Sequence, residues 1–274
     1  MPRPLPPGLA RAKAFDSLKL SVVIPARNEE GCLGETLERL AETLQAEHIP
    51  FEIIVADDGS TDETALRANR LAIRYPEIRL LTNTGQNGFG MAVRLGLDHV
   101  TGEAVAVVMA DGSDSPEDLV IYYRKLLEGY DCVFGSRFIR GGVVTGYPAH
   151  KLVLNRLANW FIKVIFRLPY NDVTNAFKMY HRDVIEGMQP LISPQFNLTV
   201  EMPLKAIVRG YSYAVVPIHW TTRKAGVTKL KLKEMGSRYL FIVIYLWLEK
   251  HLSRGDYRRK PSQEPRTKTK HIHA

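Results

Sequence analysis

Residues 51–64 read FEIIVADDGSTDET, an apolar, β-branched run that ends in two aspartates and a turn. Such a run predicts a buried strand, and the acidic residues after it favour a helix that begins near Thr61. The preceding segment has the same arrangement: the strand LKLSVVIPA ends at Pro25, and residues 28–46 carry leucines at helical spacing. Strand and helix therefore alternate from residue 18 onward.

Two further strands are predicted in IRLLTN, residues 78–83, and EAVAVVMAD, residues 103–111, with an amphipathic helix over 91–99 between them. This alternation predicts an α/β fold with a mostly parallel sheet and helices on both faces. Such sheets bind ligands at the carboxyl ends of their strands. Three polar clusters, Pro-Ala-Arg-Asn-Glu, Asp-Asp-Gly-Ser and Ala-Asp-Gly-Ser-Asp, occur at predicted strand ends, so we expect them to meet at one edge.

The composition favours one catalytic domain in a reducing compartment. The chain has 274 residues, 45% of them hydrophobic, which is enough for one sizeable core. Cys32 and Cys132 are far apart and have no metal-ligand spacing, so neither a disulfide framework nor a zinc cluster is indicated. Residues 1–17 are rich in proline and charge and lack a signal-peptide run, which predicts a disordered arm on a cytoplasmic protein.

The net charge of +8 favours anionic partners, which are nucleic acid, anionic lipid or a phosphorylated substrate. No basic-aromatic pattern of an RNA-binding sheet and no zinc finger is visible, which argues against nucleic acid. The predicted helix over 151–168 has a broad apolar face with basic residues in it, typical either of core packing or of a membrane interface.

The end of the chain carries two signals for a membrane surface. The apolar run YLFIVIYLWL, residues 239–248, is ten residues long, whereas a spanning helix needs about 20. We therefore expect an interfacial or partner-binding helix over 237–252. Residues 253–274 are mostly basic and predict a disordered tail that is either solvated or attracted to anionic lipid.

Two pairs of aspartates are candidates for nucleotide chemistry. Asp57 and Asp58 end a strand at a tight turn, where carboxylates can accept hydrogen bonds from a base or ribose, or can cap the next helix. Asp111 and Asp114 can offer oxygen ligands to a divalent cation that bridges a diphosphate, or can form a simple turn. At the same sheet edge, the two pairs together indicate a metal-nucleotide site.

These motifs carry a family resemblance. SVVIPARNEE, VADDGSTDET, QNGFGMAVRLGLDHVTGE, VVMADGSDSPEDL and FGSRF resemble, in order and approximate spacing, the motifs of family 2 glycosyltransferases with the GT-A fold. The later segments NDVTNAFKMYHRDVIE, VEMPLKAIVRGY and VVPIHWTTRKAGVTKLKLKEM are similar to the polyprenyl-phosphate branch of that family, typified by dolichol-phosphate mannose synthase. The resemblance covers residues 19–236, within an expected GT-A domain over 18–236.

The resemblance implies an inverting transfer of a sugar from a GDP- or UDP-linked donor to a polyprenyl phosphate, dolichyl or undecaprenyl. The enzyme would lie peripherally at the cytoplasmic face of a membrane, with or without a membrane-embedded partner subunit. Two alternatives stay open: a transferase that extends a lipid-linked or surface polysaccharide, and an inactive module that binds a nucleotide sugar.

The resemblance also implies roles for individual residues. Arg223 and Lys229 resemble a segment that closes over the donor diphosphate, and Arg137, Lys151 and Asn155 match positions that bind the acceptor phosphate. Asp114, Arg137, Lys151 and Arg223 are the implied catalytic residues. The implied donor-binding residues are Pro25, Arg27, Glu29, Asp57, Asp58, Asp111 and Lys229.

The implied metal site departs from the family pattern. The family usually has Asp-Ala-Asp followed two residues later by Gln or Ser, and without a gap those ligand positions become Ala110, Gly112 and Asp114 here. Asp111 and Asp114 can still hold Mg²⁺ or Mn²⁺, while the metal requirement stays open. An anionic lipid phosphate needs no catalytic base, whereas a sugar hydroxyl acceptor would need one, and Glu201 is then the candidate.

Overall fold

The computed structural model describes residues 17–222 and 232–259 of the chain. The strands are β1 Leu20–Ala26, β2 Phe51–Asp57, β3 Ile78–Thr82, β4 Ala104–Val107, β5 Cys132–Ser136, β6 Val143–Thr145, β7 Lys178–His181, β8 Tyr213–Pro217 and β9 His219–Thr221. The helices are α1 Leu33–Ala46, α2 Thr64–Arg74, α3 Phe89–Leu97, α4 Pro116–Leu127, α5 Ala149–Phe166, α6 Arg182–Gly187, α7 Leu198–Val208 and α8 Leu232–Leu252.

The central sheet has seven strands in the order β3-β2-β1-β4-β7-β5-β8, and β6 pairs with β9 in a separate two-stranded sheet. β1 is parallel to β2 and β4, β2 is parallel to β3, and β5 is parallel to β8. β7 is antiparallel to both of its neighbours, β4 and β5. The prediction of a mostly parallel α/β sheet is confirmed. The sequence predicts the strands β1 to β4, and it does not predict β5, β7 and β8, which complete the central sheet.

Helices cover both faces of this sheet. Val22 and Val23 are consecutive residues of β1, so their side chains point to opposite faces. Val22 belongs to the apolar cluster that contains Leu37 of α1 and Leu119 of α4. Val23 belongs to a second cluster with Val93 of α3 and residues of α5, α7 and α8. Two layers of helices therefore enclose the sheet, as the alternation predicts.

Several predicted boundaries shift toward shorter elements. α1 begins at Leu33 rather than at Asn28, because Asn28 has a φ of +50° and the chain turns before the helix starts. α2 begins at Thr64 rather than at Thr61. β4 ends at Val107, four residues before the predicted end, so the aspartates that follow lie in a loop.

The end of the described chain packs against the domain. Arg209 Nε donates to Glu249 Oε1 at 2.9 Å, and both side chains are buried. Arg259 Nη1 donates to Asp131 Oδ2 at 2.8 Å. Residues 253–259, the expected start of the disordered tail, therefore contact the folded domain. The rest of the expected tail, residues 260–274, lies outside the described residues. Residues 1–16 of the expected N-terminal arm also lie outside them.

In the described ranges, no helix combines the length and the apolar character that crossing a membrane requires.

Candidate functional site

The carboxyl ends of β1, β2, β4 and β5 lie along one edge of the central sheet. β1 runs parallel to β2 and β4, and β4 and β5 share one direction because β7 is antiparallel to both. The loops that follow these strands carry the three polar clusters and Arg137. The structure thus brings residues from four separate motifs to a common edge.

The loop after β1 contacts the loop after β2. Arg27 Nη1 lies 3.6 Å from Asp58 Oδ2, and the backbone N–H of Glu29 donates to Thr64 Oγ1 at 2.8 Å. Pro25 lies inside β1, buried, rather than in the loop. Arg27 and Glu29 are therefore at the predicted loop, and Pro25 shapes the strand that leads to it.

Asp57 and Asp58 are both buried, with 4% and 3% of their surface exposed. Asp57 accepts a hydrogen bond from the backbone N–H of Ser60 at 3.2 Å. Asp58 Oδ1 accepts from Asn83 Nδ2 and Asp58 Oδ2 accepts from the backbone N–H of Gly88, each at 2.8 Å. Sequence reasoning missed Asn83, although it directly follows β3 and the strand-end rule would have indicated it.

Asp111 and Asp114 follow β4 in a turn that Gly112 makes with a φ of +69°. The backbone N–H of Met109 donates to Asp114 Oδ2 at 3.0 Å, and the backbone N–H of Ser113 donates to Asp111 Oδ1 at 3.1 Å. Burial raises the pKa of Asp114 to about 7; the hydrogen bond from Met109 opposes this, and the charge of Asp111 adds to it. The pair thus consists of two buried carboxyl groups whose joint ionisation is unfavourable without a nearby positive charge.

This pair fits a divalent cation, because a nearby positive charge would offset the cost of burial and the mutual repulsion of the two ionised carboxylates. It is nevertheless a sparse site. Among the described residues, no group of three or more His, Cys, Asp or Glu side chains has the arrangement of a metal centre. Asp111 and Asp114 would therefore be the protein's carboxylate ligands, and the remaining oxygens would come from the donor diphosphate or water.

Arg137 is nearly buried, with 8% of its surface exposed. Its Nε and Nη2 donate to the two oxygens of Asp172 at 2.8 Å and 2.7 Å, a bidentate ion pair. The guanidinium carbon also lies within 6 Å of the ring centres of Phe138, Tyr147 and Trp220. Burial would lower the pKa of Arg137, but the Asp172 charge outweighs it and the pKa is raised, so the guanidinium stays charged.

Sequence reasoning also missed Lys178, a fully buried lysine at the start of β7. Its Nζ donates to the backbone carbonyls of Val173 at 3.0 Å and Thr199 at 3.2 Å. Burial lowers the pKa of Lys178 to about 7, and the charge of Asp172 opposes that shift. Both residues lie in the segment NDVTNAFKMYHRDVIE, which carries part of the family resemblance, but the segment does not show that Asp172 pairs with Arg137, which is 35 residues away.

The other predicted acceptor residues lie on α5. Lys151 is half-buried in the first turn of this helix. Asn155 Nδ2 donates to Thr174 Oγ1 at 2.9 Å, and Asn159 Nδ2 donates to the same oxygen at 2.9 Å. Asn155 is therefore held by the loop that also contains Asp172.

Two predicted residues, Arg223 and Lys229, lie outside the described residues.

Glu201, the candidate base, is completely buried on α7. Its oxygens accept from the backbone N–H groups of Ile192 at 2.9 Å and Ser193 at 2.8 Å, and Lys205 Nζ lies 2.9 Å from Glu201 Oε1. Glu201 is thus a structural carboxylate that fixes the loop before α7.

α5 and α8 carry a set of large apolar side chains that are exposed, which we call the apolar surface. The two helices touch, because Lys250 Nζ of α8 donates to the carbonyl of Phe166 of α5 at 2.8 Å. Lys163 is exposed among the apolar residues of α5. The apolar surface consists of Val153, Leu154, Leu157, Trp160, Phe161 and Val164 on α5 and Leu240, Phe241, Ile244, Trp247, Leu248 and Leu252 on α8.

Comparison with known proteins gives relatives over most of the chain. Residues 21–188 match the family model described as glycosyl transferase family 2. Polyprenol monophosphomannose synthase of Mycolicibacterium smegmatis is 33% identical over 215 residues, which cover 76% of this chain and 80% of that protein. Dolichol-phosphate mannosyltransferase of Pyrococcus furiosus is 30% identical over 222 residues, which cover 79% of this chain and 60% of that protein.

Solved structures share the fold at lower identity. Glucosyl-3-phosphoglycerate synthase of Mycobacterium tuberculosis, in complex with Mn²⁺, uridine diphosphate and phosphoglyceric acid, aligns with a TM-score of 0.65 at 19% identity, covering 86% of this chain and 80% of that one. Another structure of this synthase gives a TM-score of 0.64 at 19% identity, with 86% and 82% covered. The GT-A architecture expected from the sequence is confirmed.

Proposed function

Because the chain belongs to glycosyl transferase family 2, we propose that it is an inverting glycosyltransferase that moves a sugar from a nucleoside-diphosphate sugar to a polyprenyl phosphate at the cytoplasmic face of a membrane. The observation that carries this proposal is the 33% identity, over 76% of the chain, to a polyprenol monophosphomannose synthase. Both curated relatives have names that specify mannose, so a mannosyl donor is the first to test.

The nucleoside of the donor would be bound by Arg27, Glu29, Asp57 and Asp58. The donor diphosphate would be bound by Arg223 and Lys229, which lie outside the described residues. The support is that Asp58 and Asp57 are buried and fixed at the strand ends where α/β sheets bind nucleotides. These oxygens would accept hydrogen bonds from a base or a ribose in one fixed direction.

Asp111 and Asp114 would hold a divalent cation, Mg²⁺ or Mn²⁺, which supplies positive charge to the leaving diphosphate. The burial of this pair supports the assignment: burial and the neighbouring carboxylate raise the pKa of Asp114 to about 7, and a bound cation would favour its ionised form. The protein's own task is to keep both carboxylates at the edge where the strand ends converge.

On the acceptor side, Arg137, Lys151 and Asn155 bind the phosphate of the polyprenyl chain. This phosphate is already an anion, so it attacks the anomeric carbon without a catalytic base. Arg137 and Lys151 hold it in line with the leaving diphosphate, which is the orientation that a single displacement needs. The configuration at the anomeric carbon is then inverted.

A transferase that extends a polysaccharide is the less favoured alternative. A sugar hydroxyl needs a general base, and the candidate Glu201 has both oxygens engaged with backbone N–H groups and Lys205. The relatives also point away from it, because both of their names specify a polyprenol or dolichol phosphate product or acceptor.

The apolar surface of α5 and α8 gives the proposed enzyme a way to reach a lipid acceptor. Exposed apolar patches of this kind mark surfaces that bind membranes or proteins, and basic side chains beside them favour anionic headgroups. Lys151 lies at the start of α5 and Asn155 one turn later, so this surface shares a helix with two of the three proposed acceptor residues. Attachment would be peripheral, directly to lipid or through a membrane-embedded partner subunit.

The test is a donor screen with a short polyprenyl phosphate. The chain is incubated with GDP- and UDP-linked sugars and Mg²⁺ or Mn²⁺, and release of nucleoside diphosphate and the anomeric configuration of the lipid product are measured. We expect one donor to give a lipid-phosphate sugar with inverted configuration. Release that depends on a saccharide acceptor would assign the polysaccharide reaction instead, and no turnover with any donor would favour an inactive module.

A further inference from the structure

Two of the residues proposed to bind the acceptor, Arg137 and Asn155, contact the same loop, residues 171–174, which we call the brace. The brace lies between α5 and β7. Because β7 runs against β4, its amino end, Lys178, pairs with Val107 at the carboxyl end of β4. The brace therefore approaches the same sheet edge as the loops after β1, β2 and β4, which we call the donor loops. It differs from them because it precedes a strand instead of following one.

Asp172 of the brace fixes the orientation of Arg137. Its Oδ2 accepts from Arg137 Nε at 2.8 Å and from the Arg137 backbone N–H at 3.0 Å, and its Oδ1 accepts from Nη2 at 2.7 Å. Two parallel hydrogen bonds hold the guanidinium plane in one position. A guanidinium has five N–H donors, so Nη1 and the second hydrogen of Nη2 are not used by Asp172.

Thr174 of the brace holds the acceptor residue on α5. Thr174 Oγ1 accepts from Asn155 Nδ2 and from Asn159 Nδ2, each at 2.9 Å. The backbone N–H of Thr174 donates to Asn159 Oδ1 at 3.2 Å, and Asn159 Nδ2 donates to Asn155 Oδ1 at 3.0 Å. The three side chains form a closed network that restrains the conformation of Asn155.

The brace is itself anchored on both sides. Ser136 Oγ donates to Asn171 Oδ1 at 2.7 Å, and Asn171 Nδ2 donates to the carbonyl of Phe138 at 3.1 Å. Asn171 therefore binds the residues on either side of Arg137. Lys178 Nζ donates to the carbonyl of Val173 at 3.0 Å. Its contacts thus extend to β5, α5 and β7.

We propose that the brace positions Arg137 and Asn155 for the acceptor phosphate, with Asp172 and Thr174 as positioning residues. The inference rests on the proposed function, because it assigns these contacts to recognition of a polyprenyl phosphate. A guanidinium held in advance loses little freedom when the phosphate binds, whereas a loose one binds weakly and presents the acceptor out of line. The donor loops after β1, β2 and β4 have support of their own, such as the hydrogen bonds of Asp58 with Asn83 and Gly88.

The experiment compares Asp172→Asn and Thr174→Val with the unchanged chain. Steady-state kinetics use a short, water-soluble polyprenyl phosphate, so that membrane attachment does not enter, and donor affinity is measured by calorimetry. We expect Asp172→Asn to raise the KM for the lipid phosphate by roughly 10-fold or more, and Thr174→Val by roughly 3-fold, with donor affinity unchanged. Asp172→Asn added to Arg137→Ala should have no further effect on this KM.

The matched control is Glu249→Gln, which breaks a buried bidentate arginine pair of similar geometry, Arg209 with Glu249, away from the brace. It should lower thermal stability and leave the acceptor KM unchanged. If Asp172→Asn fails to fold, the acceptor KM of Thr174→Val alone tests the role of the brace.

Two outcomes count against the inference. An unchanged acceptor KM in the folded variants, while the unchanged chain transfers normally, overturns the role of the brace and leaves the proposed function standing. Absence of any transfer to polyprenyl phosphate by the unchanged chain overturns the proposed function and the inference together.

Discussion

At the scale of single residues, we predict that the two aspartates after β4 contribute unequally to turnover. We expect Asp114→Ala to lower turnover by roughly 100-fold or more if a metal ligand is lost, and Asp111→Ala to lower it less. Only Asp114 falls on a ligand position of the family in the ungapped comparison. The measurement is turnover against Mg²⁺ and Mn²⁺ concentration, with Asp98→Ala, an exposed aspartate after the far end of α3, as the control.

Divalent-dependent turnover that is fully retained in both variants would remove Asp111 and Asp114 from the metal site.

Glu52, at the opposite edge of the sheet, carries a prediction about stability. Its Oε1 accepts from Ser21 Oγ at 2.6 Å and from the backbone N–H of Thr101 at 2.7 Å, and Arg79 Nη2 lies 2.9 Å from its Oε2. Burial alone would raise the pKa of Glu52, but the hydrogen bonds from Ser21 and Thr101, helped by the charge of Lys19, lower it overall.

A lowered pKa means that ionised Glu52 stabilises the fold above the pKa of the unfolded chain, about 4.3, and that this contribution is lost as the pH falls through the folded-state pKa. We expect Glu52→Gln to lower the free energy of unfolding by about 2 kcal/mol at pH 7 and by much less in acid. Denaturant titrations from pH 3 to 7 test this. Glu38→Gln, in an exposed pair with Arg74, should change the free energy by less than about 1 kcal/mol at every pH.

Sequence reasoning found the acidic residues at strand ends, although it missed Asn83, which follows β3. Asp57, Asp58, Asp111 and Asp114 stand directly after apolar runs, so the strand-end rule applied to them. Asp172 pairs with a residue 35 positions away, and no periodicity or spacing encodes that meeting. The role of Asp172 is visible only in the folded structure, where β5 and the loop before β7 lie side by side.

At the scale of elements, α5 makes a prediction about acceptor binding. Lys151 is in its first turn, and Lys163 is in its last turn and exposed. We expect Lys151→Ala to raise the KM for a short polyprenyl phosphate by roughly 10-fold, the effect of losing one charge-assisted hydrogen bond, while donor affinity stays the same. Lys163→Ala removes the same charge from the same helix and should leave this KM unchanged.

Calorimetry with the donor separates the possibilities. An equal loss of donor affinity in Lys151→Ala would assign this lysine to the diphosphate instead of the acceptor.

The elements that the sequence predicted are those with a long, regular pattern. β1 to β4 and the helices between them follow from β-branched runs and leucine spacing, although their ends shifted by up to five residues, as at the start of α1. β4 and β7 both have four residues, but β4 lies in the long apolar run EAVAVVMA, whereas β7 reads KMYH and has a charged or polar residue at each end. Its reversed direction depends on pairing with β4 and β5, which only tertiary packing decides.

At the scale of the whole molecule, the end of the chain predicts two different effects of truncation. Residues 260–274 contain four Lys or Arg and a single Glu. A chain that ends at residue 259 should keep its stability and its activity on a short acceptor, and should bind anionic liposomes less well at low salt, since each basic residue near the surface contributes about 1 kcal/mol.

A chain that ends at residue 252 also loses the pair of Arg259 with Asp131 and should unfold more readily. Co-sedimentation with anionic and neutral liposomes across a salt series, together with thermal unfolding, distinguishes the effects. Binding that persists at high salt would come from the apolar surface. If the intact chain ignores both kinds of liposome, a membrane-embedded partner becomes the better account of that surface.

The reversed direction of β7 has a consequence for how such an enzyme can change its chemistry. The donor loops follow parallel strands, whereas the brace precedes a strand that runs the other way, so two independent stretches of chain arrive at one edge. If the brace positions the acceptor residues as proposed, substitutions in residues 171–174 should alter which nucleophile is accepted without changing the loops after β1, β2 and β4. On the proposed role of the brace, donor and acceptor specificity lie on separate stretches of the chain, and exchanging this one loop between relatives is a route to a transferase with the old donor and a new acceptor.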